Sequence, residues 1–79
     1  MTRLHVLYFA SLRDAAGVAS EQLPQPDSLR ALYDSLRARH SLPLTPERLR
    51  VAIDGAFCGW DAPVPEGAEI AFIPPVSGG

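Results

Sequence analysis

A chain of 79 residues is long enough for one domain but not for two, and it buries only a little over ~60% of its unfolded surface. Seven basic residues, all arginine, and nine acidic residues give a net charge of −2, which argues against binding to nucleic acid or anionic lipid, since both require clustered positive charge. Hydrophobic residues make up 47% of the chain, which excludes a disordered chain, and a single cysteine excludes an internal disulfide. The sequence has no long apolar run and no basic leader, which predicts a soluble cytoplasmic protein.

The first quarter of the chain predicts two strands joined by a short connection. Residues Arg3–Ala10 are rich in β-branched and aromatic side chains and are too uniformly apolar for an amphipathic helix. Strand alternation divides them into two faces, Leu4, Val6 and Tyr8 on one and His5, Leu7 and Phe9 on the other. Ser11–Gly17 predicts a short helical or irregular connection, and Val18–Leu23 predicts a weak edge strand.

One amphipathic helix follows a proline-rich break at Pro24–Pro26. Asp27 or Ser28 offers the N-cap oxygen. The helix then shows one apolar stripe at i, i+3, i+4 and i+7, formed by Leu29, Leu32, Tyr33 and Leu36. The prolines within His40–Arg48 prevent a second long helix.

The second half of the chain predicts a hairpin and a last strand. Asp54-Gly55 separates the apolar runs Leu49–Ile53 and Ala56–Cys58, and a tight hairpin turn favours this pair because its centre needs positive φ. A Pro- and Gly-containing loop then precedes the last strand, Ala68–Ile73.

This element order predicts an α+β protein with a β-grasp (ubiquitin-like) roll. About five strands form a mixed sheet, one main helix covers one face, and the crossover is right-handed. The first and last strands are the most apolar and should be neighbours at the sheet centre. We expect one domain over residues 1–79, with 74–79 as a flexible extended C-terminal tail.

Ordinary catalytic and metal-binding signals are nearly absent. His5 and His40 have no cysteine or carboxylate at ligand spacing, so we expect no metal site. Cys58 could act as a nucleophile, but no histidine is near in sequence, and a small packing role is favoured.

The C-terminal segment Ile73–Gly79 is the unusual feature of the sequence. Pro74 and Pro75 stop the strand and stiffen an extended exit, and Gly78 and Gly79 leave the last carboxylate without neighbouring side chains. The segment after Phe72 can reach on the order of 20 Å, which suits delivery of a terminal carboxylate into a tunnel of another protein. An ionised carboxylate is a poor electrophile, so acylation would require activation by a partner, most simply with ATP. A frayed terminus of small residues is the alternative interpretation.

Apolar side chains also fall on the sheet face that the helix does not cover. These are Leu7 and Phe9 on the first strand and Ile73 on the last, and Phe57 past the hairpin turn extends them. A partner-binding patch at the base of the tail is the functional interpretation. A covering loop, or an error in the strand phase, would remove the patch.

These motifs resemble those of the molybdopterin synthase small-subunit family, within the ubiquitin-like sulfur carriers. The resemblance spans essentially the whole chain, and its motifs are Val6–Ala10, Leu12-Arg13-Asp14, Gly17, Val51–Gly55 and above all Ile70–Gly79. It implies a non-catalytic sulfur-donor subunit with no cofactor of its own.

The resemblance assigns the chemistry to Gly79 and the remaining groups to partners. Gly79 would be adenylated by a ubiquitin-activating-like adenylyltransferase that uses ATP, then converted to a thiocarboxylate that donates sulfur to cyclic pyranopterin monophosphate to form the dithiolene of molybdopterin. The large synthase subunit, in a heterotetramer, would supply the acid–base groups. The partner contacts that the resemblance implies are Phe9, Arg13, Phe57, Ile73, Pro74, Pro75, Val76, Ser77 and Gly78, and the apolar patch adds Leu7.

Two other classes of function stay open. One is a related carrier for thiamine thiazole synthesis, or a ubiquitin-like protein modifier. The other is a non-reacting interaction module. The Pro-Pro-Val-Ser-Gly-Gly ending favours the molybdopterin carrier over the thiamine carrier, whose ending usually lacks the double proline.

Overall fold

The computed structural model describes residues 3–75, in which a five-stranded mixed sheet carries one long helix on one face. The elements are β1 Arg3–Tyr8, α1 Ser11–Ala16, β2 Ser20–Pro24, α2 Leu29–His40, a 3-10 turn Pro46–Arg48, β3 Arg50–Ile53, β4 Ala56–Cys58 and β5 Glu69–Ile73. Val76–Gly79, on which the predicted chemistry of the tail depends, lie outside the described residues.

The strand order β2-β1-β5-β3-β4 is that of the predicted β-grasp fold. β1 and β5 run parallel as neighbours, and the other three pairings are antiparallel. The β1–β5 pairing confirms the expectation from hydrophobicity. The core-facing side chains of these two strands are all at most 2% exposed, namely Leu4, Val6, Tyr8, Ile70 and Phe72. As a result, the C-terminal segment leaves the fold from the central strand of the sheet.

The main helix, α2, follows the predicted stripe. Ser28 is the N-cap, and its hydroxyl accepts a hydrogen bond of 3.0 Å from the Ala31 amide. The buried side chains of the helix are the four predicted ones, Leu29, Leu32, Tyr33 and Leu36. The helix ends at Ser41, whose φ of 55° breaks the helical geometry.

The β3–β4 hairpin has the predicted two-residue turn. Asp54 and Gly55 have φ of 51° and 86°, as a tight turn that follows the sheet twist requires. Asp54 also bonds to the start of β5, because its carboxylate accepts from the Glu69 amide at 2.9 Å and its own amide donates to the Glu69 carbonyl at 2.8 Å.

Five predicted strand boundaries were wrong by one or two residues. β1 ends at Tyr8 rather than Ala10, because Ala10 has φ of 50° and turns the chain into α1. β2 runs over Ser20–Pro24 rather than Val18–Leu23, since the left-handed Gly17 delays the return of the chain to the sheet. β3 and β5 each begin one residue later than predicted.

The core lies between α2 and the sheet and is closed at one end by an aromatic cluster. Tyr33 packs 5.0 Å from Phe72 and 5.7 Å from Trp60, measured between ring centroids. The Tyr33 hydroxyl donates to the Leu44 carbonyl at 2.7 Å, so its polar end is satisfied. Neither α1 nor α2, the helices of residues 3–75, has the length and apolar character to cross a membrane.

Candidate functional site

The sheet face opposite α2 carries a continuous band of apolar side chains, which we call the open face. Strand alternation turns Leu4, Val6 and Tyr8 into the core, where each is at most 2% exposed, and turns Leu7 the other way. The strand register then places Leu7 beside Ala71, Ala71 beside Ala52 and Ala52 beside Phe57. The predicted strand phase is therefore correct, and the band crosses four strands.

The large side chains of this region are exposed. Phe57 is 59% exposed and Phe9, just after β1, is 43% exposed, whereas Leu7 and Ile73 are half-buried. A contiguous patch of exposed apolar side chains, unlike a single exposed one, marks a candidate interaction surface. No loop of residues 3–75 buries Phe57 or Phe9, so the covering-loop alternative does not hold for these two rings.

Arg50 lies in the open face next to the tail and was not predicted. It is paired with Ile73 in the β3–β5 register, and its guanidinium carbon sits 4.5 Å from the centroid of the Phe57 ring. The two-residue hairpin turn could have revealed this position, because that turn sets the Ala52–Phe57 pairing and alternation puts Arg50 on the same face as Ala52.

The tail leaves the fold directly beside the open face. β5 ends at Ile73, and the described residues Pro74 and Pro75 follow as half-buried and exposed positions. Arg13, the other predicted contact, lies exposed on α1, outside the sheet. The structure thus brings Leu7, Phe57 and Ile73 onto one face, and the roles assigned to all of these residues stay predictions.

A polar cluster lies on the side of the sheet that α2 covers. The sequence did not predict it, because its residues are far apart along the chain. The Tyr8 hydroxyl donates to Glu21 Oε1 at 2.6 Å, and the His40 ring nitrogen Nε2 lies 2.6 Å from the same oxygen. Arg39 lies 3.7 Å from the other oxygen of that carboxylate. Glu21 therefore connects the edge strand β2, its neighbour β1 and the end of α2.

The ionisation of this cluster follows from its contacts. Burial opposes ionisation of Glu21, but hydrogen bonds from Tyr8 and His40, together with the charges nearby, outweigh it and lower the pKa of Glu21. Burial and the hydrogen bond to Glu21 raise the pKa of Tyr8. At neutral pH, Glu21 is therefore an ionised carboxylate that connects β1, β2 and α2. The cluster lies on the side of the sheet opposite the open face, since Tyr8 points into the core.

Cys58 has the surroundings of a packing residue. Burial raises the pKa of its thiol, and its sulfur lies 3.8 Å from the Val51 carbonyl oxygen. A raised pKa leaves little thiolate for nucleophilic attack. In the stretch from Arg3 to Pro75, no three histidine, cysteine or carboxylate side chains are placed to hold a metal ion.

Comparison with known families gives one clear match. The model of the ThiS family matches residues 6–79, which includes nearly all of the described fold together with the C-terminal segment.

The most similar sequences have one name. The chain is 31% identical over 80 residues to the molybdopterin synthase sulfur carrier subunit of Escherichia coli, which covers 96% of this chain and 99% of that one. The protein of the same name from Haemophilus influenzae is 35% identical with the same coverage. The one from Emericella nidulans is 33% identical over 91 residues and covers the full length of both chains.

Solved structures share the fold. The small archaeal modifier protein 1 from Methanosarcina acetivorans superposes with a TM-score of 0.80 at 25% identity, covering 100% of this chain and 98% of that one. The structure titled SAMP1 from Haloferax volcanii gives a TM-score of 0.76 at 22% identity, covering 98% and 99%, and shows the fold alone.

Proposed function

This chain belongs to the ThiS family, and on that premise we propose that it is the sulfur-carrier subunit of a molybdopterin synthase. The observation that carries the proposal is the full-length similarity to three sulfur carrier subunits of that name, combined with a Gly-Gly ending. In this role Gly79 carries sulfur as a thiocarboxylate and donates it to cyclic pyranopterin monophosphate.

The position of the tail supports this role. The sequence continues for six residues after Ile73, Pro74 to Gly79, which span about 20 Å when extended. The segment starts at the end of the central strand, so the sheet provides a rigid base for it. Two prolines at its start restrict the directions in which the chain can leave the sheet. A partner that binds the sheet can therefore receive Gly79 in a site up to about 20 Å from the end of β5.

The chemistry of a terminal carboxylate explains why an activating enzyme is required. The carboxylate attacks the α-phosphate of ATP and releases pyrophosphate, which gives an acyl-adenylate with AMP as a good leaving group. Hydrosulfide then attacks the acyl carbon and displaces AMP, and loss of the remaining S–H proton leaves a thiocarboxylate. We propose that an adenylyltransferase performs these steps and that the chain binds no cofactor of its own. The requirement for ATP supports a cytoplasmic location.

Sulfur transfer then occurs on the large subunit. The thiocarboxylate sulfur attacks a carbon of the pterin side chain and displaces the oxygen substituent on that carbon. Water then cleaves the resulting acyl–sulfur bond at the acyl carbon, which leaves the sulfur on the pterin and returns the carboxylate of Gly79. A second thiocarboxylated chain supplies the second sulfur of the dithiolene in the same way. The large subunit supplies the acid–base groups, in a heterotetramer of two subunits of each kind. Cys58 does not offer an alternative sulfur carrier, because its thiol has a raised pKa and is half-buried.

The open face is the proposed docking surface for the large subunit and for the activating enzyme. Phe57 and Phe9 offer exposed aromatic area, and Leu7 and Ile73 complete the apolar region next to the tail. Interfaces concentrate their binding energy in such aromatic and aliphatic anchors. Arg13 on α1 is a proposed further contact to the activating enzyme.

Conjugation of Gly79 to other proteins is the second candidate function. The similarity to the small archaeal modifier protein 1 from Methanosarcina acetivorans, at 25% identity and a TM-score of 0.80, favours this candidate. Both functions begin with an acyl-adenylate, but a modifier then forms an isopeptide bond with a lysine. A carrier for thiamine thiazole synthesis shares the thiocarboxylate and differs in its acceptor.

Mass spectrometry of the C-terminal peptide from native cells tests the proposal. We expect a fraction in which one oxygen of Gly79 is replaced by sulfur, and we expect the purified form to convert cyclic pyranopterin monophosphate to molybdopterin with the large subunit. A variant extended by one residue after Gly79 is the matched control and should do neither. Conjugates to lysine without any thiocarboxylate would instead support the modifier function, and a thiocarboxylate that sulfurates only a thiazole precursor would support the thiamine carrier.

A further inference from the structure

Arg50 is a charged residue placed inside an apolar docking surface. It lies beside Ile73, at the point where the tail leaves the sheet, and its guanidinium stacks on the exposed ring of Phe57 at 4.5 Å. A partner surface that covers Phe57 and Ile73 must therefore also bury or contact the Arg50 guanidinium.

This guanidinium keeps its hydrogen-bonding capacity. Among the residues from Arg3 to Pro75, no carboxylate lies within 4.0 Å of Arg50, since the ion pairs there involve Arg30, Arg39 and His40. The acidic residue of β5 is Glu69, four residues from Ile73 along the strand, about 13 Å away. Stacking on an aromatic ring uses the face of the guanidinium and leaves the N–H groups at its edge to bind a partner.

Docking would remove water from Arg50, and an unpaired buried charge strongly opposes binding. A partner can avoid this cost by offering a negatively charged group with planar, two-oxygen geometry. A carboxylate fits because it accepts two parallel N–H bonds from the fork of an arginine. The stacking contact with Phe57 restricts the side chain before docking, so less rotamer entropy is lost when the pair forms.

We propose that Arg50 is a specificity-determining residue of the open face and binds a carboxylate that the large synthase subunit presents beside the entrance for the tail. The inference rests on the proposed function and adds the chemistry of the partner surface to it. The pair of Arg50 and the carboxylate forms only when the tail is aligned with its entrance. It therefore stabilises the productive orientation of the two subunits relative to other orientations, in which both charges stay unpaired.

Calorimetric titration of the full chain into the large subunit of the same organism tests the proposal. We expect Arg50→Gln to weaken binding by about tenfold, and Arg50→Lys to weaken it by about threefold because lysine keeps the charge but not the planar fork. Arg30→Gln is the matched control, since Arg30 lies on α2 on the other side of the sheet, and it should bind as the unchanged protein does. Thermal unfolding of each variant checks that the fold is intact.

Two further measurements separate a carboxylate pair from a general charge effect. The affinity of the unchanged chain should fall more steeply with salt than that of Arg50→Gln. Asp→Asn and Glu→Gln variants of the large subunit should include one that weakens binding to the unchanged chain but not to Arg50→Gln. Phe57→Leu should also cost less in the Arg50→Gln background, because the stacking contact is already lost.

The possible failures are distinguishable. If the unchanged chain binds the large subunit and Arg50→Gln binds equally well, the inference is wrong and the proposed function stands. If Arg50→Gln weakens binding but no carboxylate of the large subunit is coupled to it, Arg50 binds another group and the inference is again wrong. If the unchanged chain does not bind the large subunit at all, the proposed function and the inference both fail.

Discussion

Truncating Phe57 to alanine should weaken docking far more than it weakens the fold. Phe57 is 59% exposed in the free chain, and its ring is the largest exposed apolar group on the open face. A phenylalanine presents about 200 Å² in total, so ~120 Å² of Phe57 remain to be buried by a partner. At ~25 cal/mol per Å², full burial of that area contributes about 3 kcal/mol to binding.

That free energy corresponds to a loss of about 100-fold in affinity for Phe57→Ala, since ~1.4 kcal/mol changes a dissociation constant tenfold. The area of Phe57 already covered within the chain, ~80 Å², limits the loss in free energy of unfolding to about 2 kcal/mol. The affinity of Phe57→Ala for the partner should therefore fall steeply, while the variant stays folded at temperatures well below its own melting temperature.

Titration calorimetry with the large subunit, with circular dichroism on the same samples, measures both effects. Val18→Ala is the matched control, because Val18 is 42% exposed but lies in the loop between α1 and β2 rather than in the sheet. An affinity of Phe57→Ala within twofold of that of Val18→Ala, with both variants folded, would refute the docking role of the open face.

Three further predictions concern the tail, the face and the polar cluster. Deleting Gly79 should abolish sulfur transfer in a reconstituted synthase assay, because the acyl group that carries sulfur is lost; residual molybdopterin formation would contradict the mechanism. Phe9→Asp and Ile73→Asp should each weaken binding to the large subunit by about tenfold or more, since docking would bury an unpaired charge, and calorimetry showing unchanged affinity would argue against the face. Glu21→Gln should lower the free energy of unfolding by about 1–2 kcal/mol at neutral pH, measured by urea denaturation, because Gln cannot replace the ionised acceptor of Tyr8 and His40. The folded pKa of Glu21 lies below its unfolded value, so this stabilisation is present above the ordinary carboxyl pKa and is lost as pH falls through the lowered one. A difference between variant and unchanged chain that does not shrink at any acidic pH at which both are folded would contradict it.

Local signals in the sequence predicted the elements correctly where one residue type controls the backbone. Ser28 begins α2 because its hydroxyl caps the helix, and Asp54-Gly55 forms the hairpin because both positions adopt positive φ. Boundaries failed where the backbone departed from such rules. Ala10 has φ of 50°, which nothing in its side chain predicts, and it ends β1 two residues early.

Local sequence patterns do not predict side-chain contacts between residues that are far apart along the chain. Glu21 and His40 are 19 positions apart, and their contact depends on how the end of α2 packs against the edge strand. Hydrophobic periodicity places α2 on one face of the sheet but does not set the rotation and tilt that bring His40 to Glu21.

The amino-acid sequence predicted the strand phase, the β-grasp arrangement and the open face, because strand alternation divides the apolar side chains between two faces and one amphipathic helix can cover only one of them. It also placed the pair Gly78-Gly79 three residues after a double proline, within the region that the ThiS family model matches. Only the tertiary structure decided which side chains surround the charge on that face. The stacking of Arg50 on Phe57 and its position beside Ile73 depend on two inter-strand registers at once, and these registers exist only in the assembled sheet.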